Sequence, residues 1–283
     1  LARHGGPGRG RAGKAMSSTG FSAGWLALRG PADAAAVSPD LRAELAAWAR
    51  ARGRLRVVEL GAGTGAHLRR TAPALGVPQD WTLVEHDPAL IAAGSAALAT
   101  VGVAWRYRAL DLAVGLEELA VPAPDLITAA ALTDLVAADW LQRLVRLCRH
   151  LRAALYIVLT IDDRLAWTPV DPDDGFAHAL VARHQRRDQG FGPALGGSAP
   201  DRLEGLLAAG PGRLACAPSD WRLGPDQAGL QAELLAGYLA AACAEAPGQA
   251  GRLAAWAGRR QDWIADGASH LLVGHRDLLL LPD

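Results

Sequence analysis

Val57-Val58-Glu59-Leu60-Gly61-Ala62-Gly63-Thr64-Gly65 is the stretch of this 283-residue chain on which the fold is decided. It sets a short apolar, β-branched run (LRVVEL, 55 to 60) directly before three alternate glycines, with helical sequence starting near His67. A run of that length and composition suits a buried parallel strand. Glycine then lets the backbone turn sharply and lets a ligand approach the main chain without meeting a Cβ. Working outward, strands are expected at WTLVEH (81 to 86), VAWRYRAL (103 to 110), DLITAAAL (125 to 132) and ALYIVLTI (154 to 161), with helical sequence between them. Such alternation implies a parallel sheet built by right-handed crossovers. The clearest helix opens at Asp139, expected as its N-cap, and carries Leu141, Leu144, Val145, Cys148 and Leu151 on one face.

Before the first strand, Leu41, Leu45 and Trp48 recur at helical spacing behind Pro39-Asp40, so residues 21 to 51 read as a lid or support helix. After the fifth strand, residues 162 to 200 are rich in Pro, Asp and Gly and too long for a simple connection. The last third offers a short strand at Arg213 to Ala217 and two helical stretches broken at Pro247-Gly248. Two apolar runs, 270 to 273 and 277 to 281, close it. Ser219-Asp220-Trp221-Arg222 reads as a surface turn beside the sixth strand, forming a far rim of the pocket. The expected fold class is α/β: a doubly wound, mostly parallel seven-stranded sheet with helices on both faces, of Rossmann-like type. One domain is expected over 21–283, with a cofactor-binding core at 54–163 and a substrate-pocket insertion at 164–200. Residues 1–20 are expected to be a disordered tail, because residues 1 to 15 hold five glycines, four Lys or Arg and no acid. Met16, the only methionine, is expected as the natural start, a basic nucleic-acid-binding arm being the alternative.

Composition removes several classes. The 29 basic and 29 acidic residues cancel, and no basic stripe with interleaved aromatics occurs, so a small-molecule partner is expected and nucleic acid is not. No apolar run approaches the ~20 residues that cross a bilayer, and the start lacks the apolar core of a secretory signal; no membrane partner and a cytoplasmic setting follow. Lys14 is the only lysine, which speaks against Schiff-base, pyridoxal-phosphate and P-loop chemistry, each of which needs a lysine in the folded body. Cys148, Cys216 and Cys243 are odd in number and widely spaced, giving neither a disulfide framework nor a zinc pattern, and no His/Asp/Glu cluster has metal spacing. No metal is expected.

Two cofactor classes compete for the glycine turn. Gly61, Gly63 and Ala66 fit the dinucleotide pattern G-x-G-x-x-A, and Glu85 lies at the distance of its ribose-binding acid. A nicotinamide dinucleotide, however, places an anionic pyrophosphate at the turn, and Glu59 stands two residues before the first glycine. A carboxylate there repels a phosphate and suits the cationic methionine end of S-adenosylmethionine. VVELGAGTG, followed by LVEHDP (83 to 88) and ALDLA (109 to 113), resembles the first three motifs of the class I S-adenosylmethionine-dependent methyltransferases. HQRRDQGFGPALG (184 to 196) resembles a segment of bacterial members of unassigned substrate. The resemblance implies that Glu85 accepts both ribose hydroxyls and that Asp111 contacts the adenine amino group. It further implies a final antiparallel hairpin built from Arg213 to Ala217 and the C-terminal strand. Asp87-Pro88 reads as an N-cap and first-turn proline. The expected cofactor-binding set is Glu59, Gly61, Ala62, Gly63, Gly65, Glu85, His86, Asp111, Leu112 and Thr128.

For catalysis, a protonated nucleophile must lose its proton as it is methylated. His184, whose unperturbed pKa is near neutrality, and Asp163, as base or amine anchor, are the candidates. Thr128-Ala129-Ala130 stands where the base-modifying branch of the family carries an Asn-Pro-Pro-Tyr motif. The function expected is therefore methyl transfer from S-adenosylmethionine to a small molecule. The alternatives are an NAD(P)-dependent oxidoreductase and a non-catalytic S-adenosylmethionine-binding protein. The acceptor atom and the oligomeric state are not legible.

Overall fold

A computed structural model describes residues 21–283 apart from Val121. The expectations for residues 1–20, Lys14 and Met16 included, lie outside the described residues. The chain opens with two helices, α1 (Ala23–Ala36) and α2 (Pro39–Arg52), where the sequence reads as one. The break falls at Val37-Ser38: the Ser38 hydroxyl accepts the Leu41 N–H, and Pro39, which has no N–H to satisfy, takes the first helical position. Alternation follows: β1 (Leu55–Leu60), α3 (Ala66–Leu75), β2 (Gln79–Glu85), α4 (Pro88–Ala97), β3 (Ala104–Ala109), α5 (Leu112–Gly115), β4 (Leu126–Ala130), α6 (Ala138–Leu151) and β5 (Ala154–Thr168). Beyond it come α7 (Asp174–Gln185), α8 (Ala199–Ala208), β6 (Arg213–Pro218), β7 (Trp221–Leu223), α9 (Ala228–Glu245), α10 (Ala250–Ala265) and β8 (His270–Leu281).

The sheet runs β3-β2-β1-β4-β5-β8-β6, with β7 also paired to β8. Strands β1 to β5 are parallel, and β8 enters antiparallel between β5 and β6. The mostly parallel, doubly wound, Rossmann-like sheet is thus present, with eight strands rather than seven. Four boundaries depart from the sequence reading. β5 continues to Thr168 instead of stopping at Ile161. The two C-terminal apolar runs are one strand, β8. Trp221-Arg222 belongs to β7 instead of a turn. The N-cap of α6 is Ala137, with Asp139 inside the first turn, where a negative charge favours the positive end of the helix. The long β5–β8 pair survives its charged middle because bulges at Leu159 and Asp163, both at positive φ, re-aim the strand. Asp277, fully buried on β8, accepts the N–H groups of Leu159 at 2.8 Å and Ser38 at 2.9 Å, tying the first bulge to the start of α2.

Apolar side chains fill both faces of the sheet. One face packs Leu112, Leu116, Leu141, Leu144, Cys148, Leu203 and Leu207 from α5, α6 and α8 and the turn after α5 against Val58, Leu60 and Ile127. The other packs Leu41, Leu45, Leu68 and Leu75 from α2 and α3 against Val57, Trp81, Leu83 and Tyr156. A third cluster lies under α7, α9 and α10, against Trp167, Trp221, Leu271 and Val273 on the outer halves of β5, β7 and β8. The stretch expected as a pocket insertion, 164–200, therefore includes the end of β5, all of α7 and the start of α8. Arg260, fully buried, joins that layer to Asp174 at the start of α7, and Arg259 joins it to Asp171 at 2.6 Å. Among the described residues no helix is long and apolar enough to cross a membrane.

Candidate functional site

β1 and β4 are neighbours whose crossovers depart in opposite directions, β1 toward β2 and β4 toward β5. Where connections part in this way, an open α/β sheet has a crevice at the carboxyl ends of its strands. The glycine turn lies there. Gly61, Gly63 and Gly65 all have positive φ (61°, 52° and 69°), conformations that side chains rarely adopt. The turn is closed by its own hydrogen bonds: Ala62 N–H donates to Val84 O at 2.9 Å, and Gly65 N–H to Ala62 O at 2.8 Å. Gly63 N–H donates to Glu85 Oε2 at 2.9 Å.

Glu85, at the end of β2, is the clamp of the turn. Its second oxygen accepts the N–H groups of His86 at 2.8 Å and Asp87 at 3.0 Å. A carboxylate offers about four acceptor positions, so three backbone donors leave room for roughly one ribose hydroxyl rather than the two that the resemblance implies. The His86 ring is exposed, 3.4 Å from Glu85 Oε1. Asp87 caps α4 through Ala89 N–H, and Asp111 caps α5 through Ala113 N–H at 2.9 Å, leaving Asp111 exposed at the rim. Leu112 is buried in the core, and its carbonyl receives the Trp140 indole at 2.7 Å. Tyr107 of β3 donates its hydroxyl to Gly63 O at 3.0 Å, bracing the turn from the other side.

Glu59 is the unusual group. Only 2% exposed, it is directed at the start of α3, and its Oε2 has no hydrogen-bond partner. Burial pushes its carboxyl up to about 8, against the opposing pull of Arg70, the Leu68 N–H and Arg69. Arg70 is itself short of partners: its buried Nε is unsatisfied, and its nearest acid is Asp33, at 4.0 Å. Thr128, in register with Glu59 on β4, is fully buried and spends its hydroxyl inside the protein. It donates to Tyr156 O at 2.7 Å, so the contact from His67 Nε2 at 2.8 Å must be a donation from the ring. That fixes the His67 tautomer, and burial holds this ring down at about 3 and therefore neutral. The Thr128 side chain thus serves the layer under α3.

α1 lies over this crevice. Leu26 covers the turn so closely that a Cβ on Gly63 would stand 2.9 Å from it. Arg29 and Asp33 form a buried pair on the underside of α1 at 3.1 Å, with the Arg29 guanidinium 4.8 Å from the Trp221 ring and the Trp221 indole donating to Asp33 at 3.2 Å. The helix is therefore latched at one end to the turn and at the other to β7. The two catalytic candidates lie on α7 and at the second β5 bulge. His184 Nδ1 is 3.3 Å from Glu245 Oε1 on the α7–α9 contact, and Glu245 also holds Arg183 and Arg187. Asp163 sits in the second β5 bulge and pairs with Arg186 at 2.7 Å. Sequence reasoning missed Arg29, Asp33, Arg70 and Asp134, the last a carboxylate beyond the end of β4. Asp134 follows the same pattern as Glu85 and Asp111, an acid just after a strand, and could have been found by it.

No family model matches the chain, and no curated protein matches it. Solved structures do resemble it. An S-adenosylmethionine-dependent methyltransferase from Geobacter sulfurreducens, in complex with S-adenosyl-L-homocysteine, is 19% identical over 87% of this chain and 92% of its own, with a TM-score of 0.44. An O-methyltransferase family protein from Burkholderia thailandensis is 14% identical over 68% and 53%, with a TM-score of 0.46. A cyclopropane synthase from Mycobacterium tuberculosis is 13% identical over 80% and 78%, with a TM-score of 0.43. What assigns the fold of this chain is its strand order.

Proposed function

We propose that this protein is an S-adenosylmethionine-dependent methyltransferase acting on a small molecule. The observation that carries the reading is the polarity of the crevice. The N–H groups of Ala62, Gly63 and Gly65 are donated within the protein, so a pyrophosphate, which draws on the N–H donors of such a turn, would find fewer of them here, chiefly those at the start of α3. What is left without a partner is a buried carboxyl oxygen, Glu59 Oε2, which calls for a cation or a donor. The topology agrees: dinucleotide-binding sheets run 3-2-1-4-5-6 with all strands parallel, whereas here β8 enters antiparallel between β5 and β6.

The cofactor supplies a methyl group on a sulfonium centre, whose loss leaves a neutral thioether. Around it, the protein's residues have separate tasks. Glu59 balances the positive charge of the methionine end. Gly61, Gly63 and Gly65 let the nucleoside lie against bare backbone, Glu85 accepts a ribose hydroxyl while holding the turn, and Asp111 at the rim meets the adenine. Ala62, His86 and Leu112 complete the wall, through backbone in the case of Ala62 and Leu112. α1, which already lies over the turn, excludes water from it, and Leu26 must shift to admit the nucleoside. A small-molecule acceptor and a cytoplasmic setting belong to this reading, without nucleic acid. Calorimetric titration with S-adenosylmethionine, S-adenosylhomocysteine and NAD tests it. Binding of the first two without the third is expected, and binding of NAD alone would refute it.

A further inference from the structure

The crevice between β1 and β4 receives a carboxyl group from each side. Glu59 comes from β1; Asp134 comes from the turn after β4, whose Leu132 side chain packs 3.3 Å from where a Cβ on Gly61 would stand. Like Glu59, Asp134 has an oxygen, Oδ1, that is buried without a hydrogen-bond partner. The charged group acting on it is Arg29, on the underside of α1. Asp134 Oδ1 is thus a buried acceptor without a partner, in a segment that packs beside the glycine turn. Its backbone is held firmly. Gly196 N–H donates to Asp134 O at 2.9 Å and Leu195 N–H to Val136 O at 3.0 Å. Thr133 and Thr160 share a hydrogen bond of 2.7 Å.

The stretch HQRRDQGFGPALG supplies much of this clamp. Asp188 Oδ1 folds the loop by accepting Gly190 N–H at 2.7 Å and Gly192 N–H at 2.9 Å. Phe191 then meets Trp140 edge-on at 5.6 Å, and Gly192 packs on Ala137. The loop presents no side chain of its own as a base; it fixes the segment that carries Asp134.

We propose that Asp134 is the catalytic carboxylate that takes the proton of the acceptor's nucleophilic atom, and that the acceptor is accordingly a protic nucleophile, an amine or a hydroxyl. This rests on the methyltransferase reading above. In the step, a lone pair on the acceptor nitrogen or oxygen forms the new bond to the methyl carbon, and the pair of the breaking C–S bond stays on sulfur. The N–H or O–H proton passes to Asp134 and from there to solvent when α1 opens. The ionised carboxylate is partly offset by Arg29, whose hydrogen bonds go to Asp33. Burial pushes Asp134 up to about 6, against its own N–H and Arg29, so the group can accept a proton near neutrality and return it. Asp163, by contrast, is paired with Arg186 at 2.7 Å, and His184 Nδ1 lies 3.3 Å from Glu245 Oε1 on the α7–α9 contact.

The test needs no knowledge of the acceptor. Sinefungin is an analogue of S-adenosylhomocysteine that carries a primary amine in the position of the transferred methyl group, so its ammonium reaches into the acceptor side of the crevice. The amino-acid end is common to both ligands, and the contribution of Glu59 cancels in the ratio of their affinities. The wild-type protein is expected to bind sinefungin about tenfold more tightly than S-adenosylhomocysteine, the worth of one charge-assisted hydrogen bond. In D134N that preference is lost while the affinity for S-adenosylhomocysteine stays within about twofold; D134S carries the same test should D134N fold poorly. A preference that survives in D134N, or that collapses in H184Q instead, overturns the proposal. Failure of the wild type to bind S-adenosylhomocysteine at all overturns the methyltransferase reading beneath it.

Discussion

Replacing Glu59 with Gln gives two linked effects of predictable sign. The folded protein holds this carboxyl up to about 8 against a usual value of 4.5, chiefly through burial. Between those values the native state binds a proton that the unfolded chain does not, so stability falls as pH rises through that window and levels off above about 8. At pH 7 the gap from 4.5 is about 2.5 pK units, or about 3.5 kcal/mol at about 1.4 kcal/mol per unit, which relaxation around the group reduces to about 1–2 kcal/mol. E59Q cannot ionise and escapes this penalty. Its melting temperature is therefore expected to exceed that of the wild type by ~4 °C at pH 8 and by much less at pH 5, read by calorimetry across that range. A cation placed beside Glu59 reverses its preference and expels the proton. Wild-type cofactor binding at pH 7, measured in two buffers of different ionisation enthalpy, should then release about one proton. In E59Q it should release none, with affinity lower by about tenfold or more. Parallel melting profiles for the two proteins, or equal proton release, would refute the reasoning.

Other consequences follow from the same geometry. E85A removes the acceptor of three backbone N–H groups as well as a ribose contact, so cofactor affinity should fall by about 10- to 100-fold, with faster amide exchange at Gly63; unchanged affinity would exclude Glu85 from the site. D33N leaves Arg29 buried without its anion and should cost about 3 kcal/mol, with amide exchange rising selectively over Ala23–Ala36 if the pair latches α1. T128V deprives His67 of its acceptor and should lower stability by about 1–3 kcal/mol, while leaving the affinity for S-adenosylhomocysteine unaltered; a large loss of affinity would move Thr128 into the binding surface.

The central sheet was legible because its signals are local. A β-branched run, alternate glycines and acids at successive strand ends each lie within a few residues, and the helix starts at Pro39 and Pro88 follow from the proline ring alone. The outer half of the sheet was not. Asp162-Asp163-Arg164 reads as a loop, and is carried inside a strand because β8, more than a hundred residues later, pairs on both sides of it, at Ile161 and at Leu165. Long-range pairing of that kind overrides local composition. The candidate site divides in the same way. The turn and its acids were visible as spacing, whereas Arg29, Asp33 and Arg70 emerge only when α1 is laid over the sheet. His184 was chosen for its titration range, a property of the residue type; the structure sets it 3.3 Å from Glu245, a neighbour that no spacing announces.

Everything depends on what sits against Glu59. A crystal structure of the full chain with S-adenosylhomocysteine bound is the most direct measurement. The ligand's methionyl ammonium should lie within hydrogen-bonding distance of Glu59 Oε2, its adenosine against Gly61 to Gly65, and its sulfur facing Asp134. A ligand seated elsewhere, or one that leaves Glu59 Oε2 without a partner, would contradict the account.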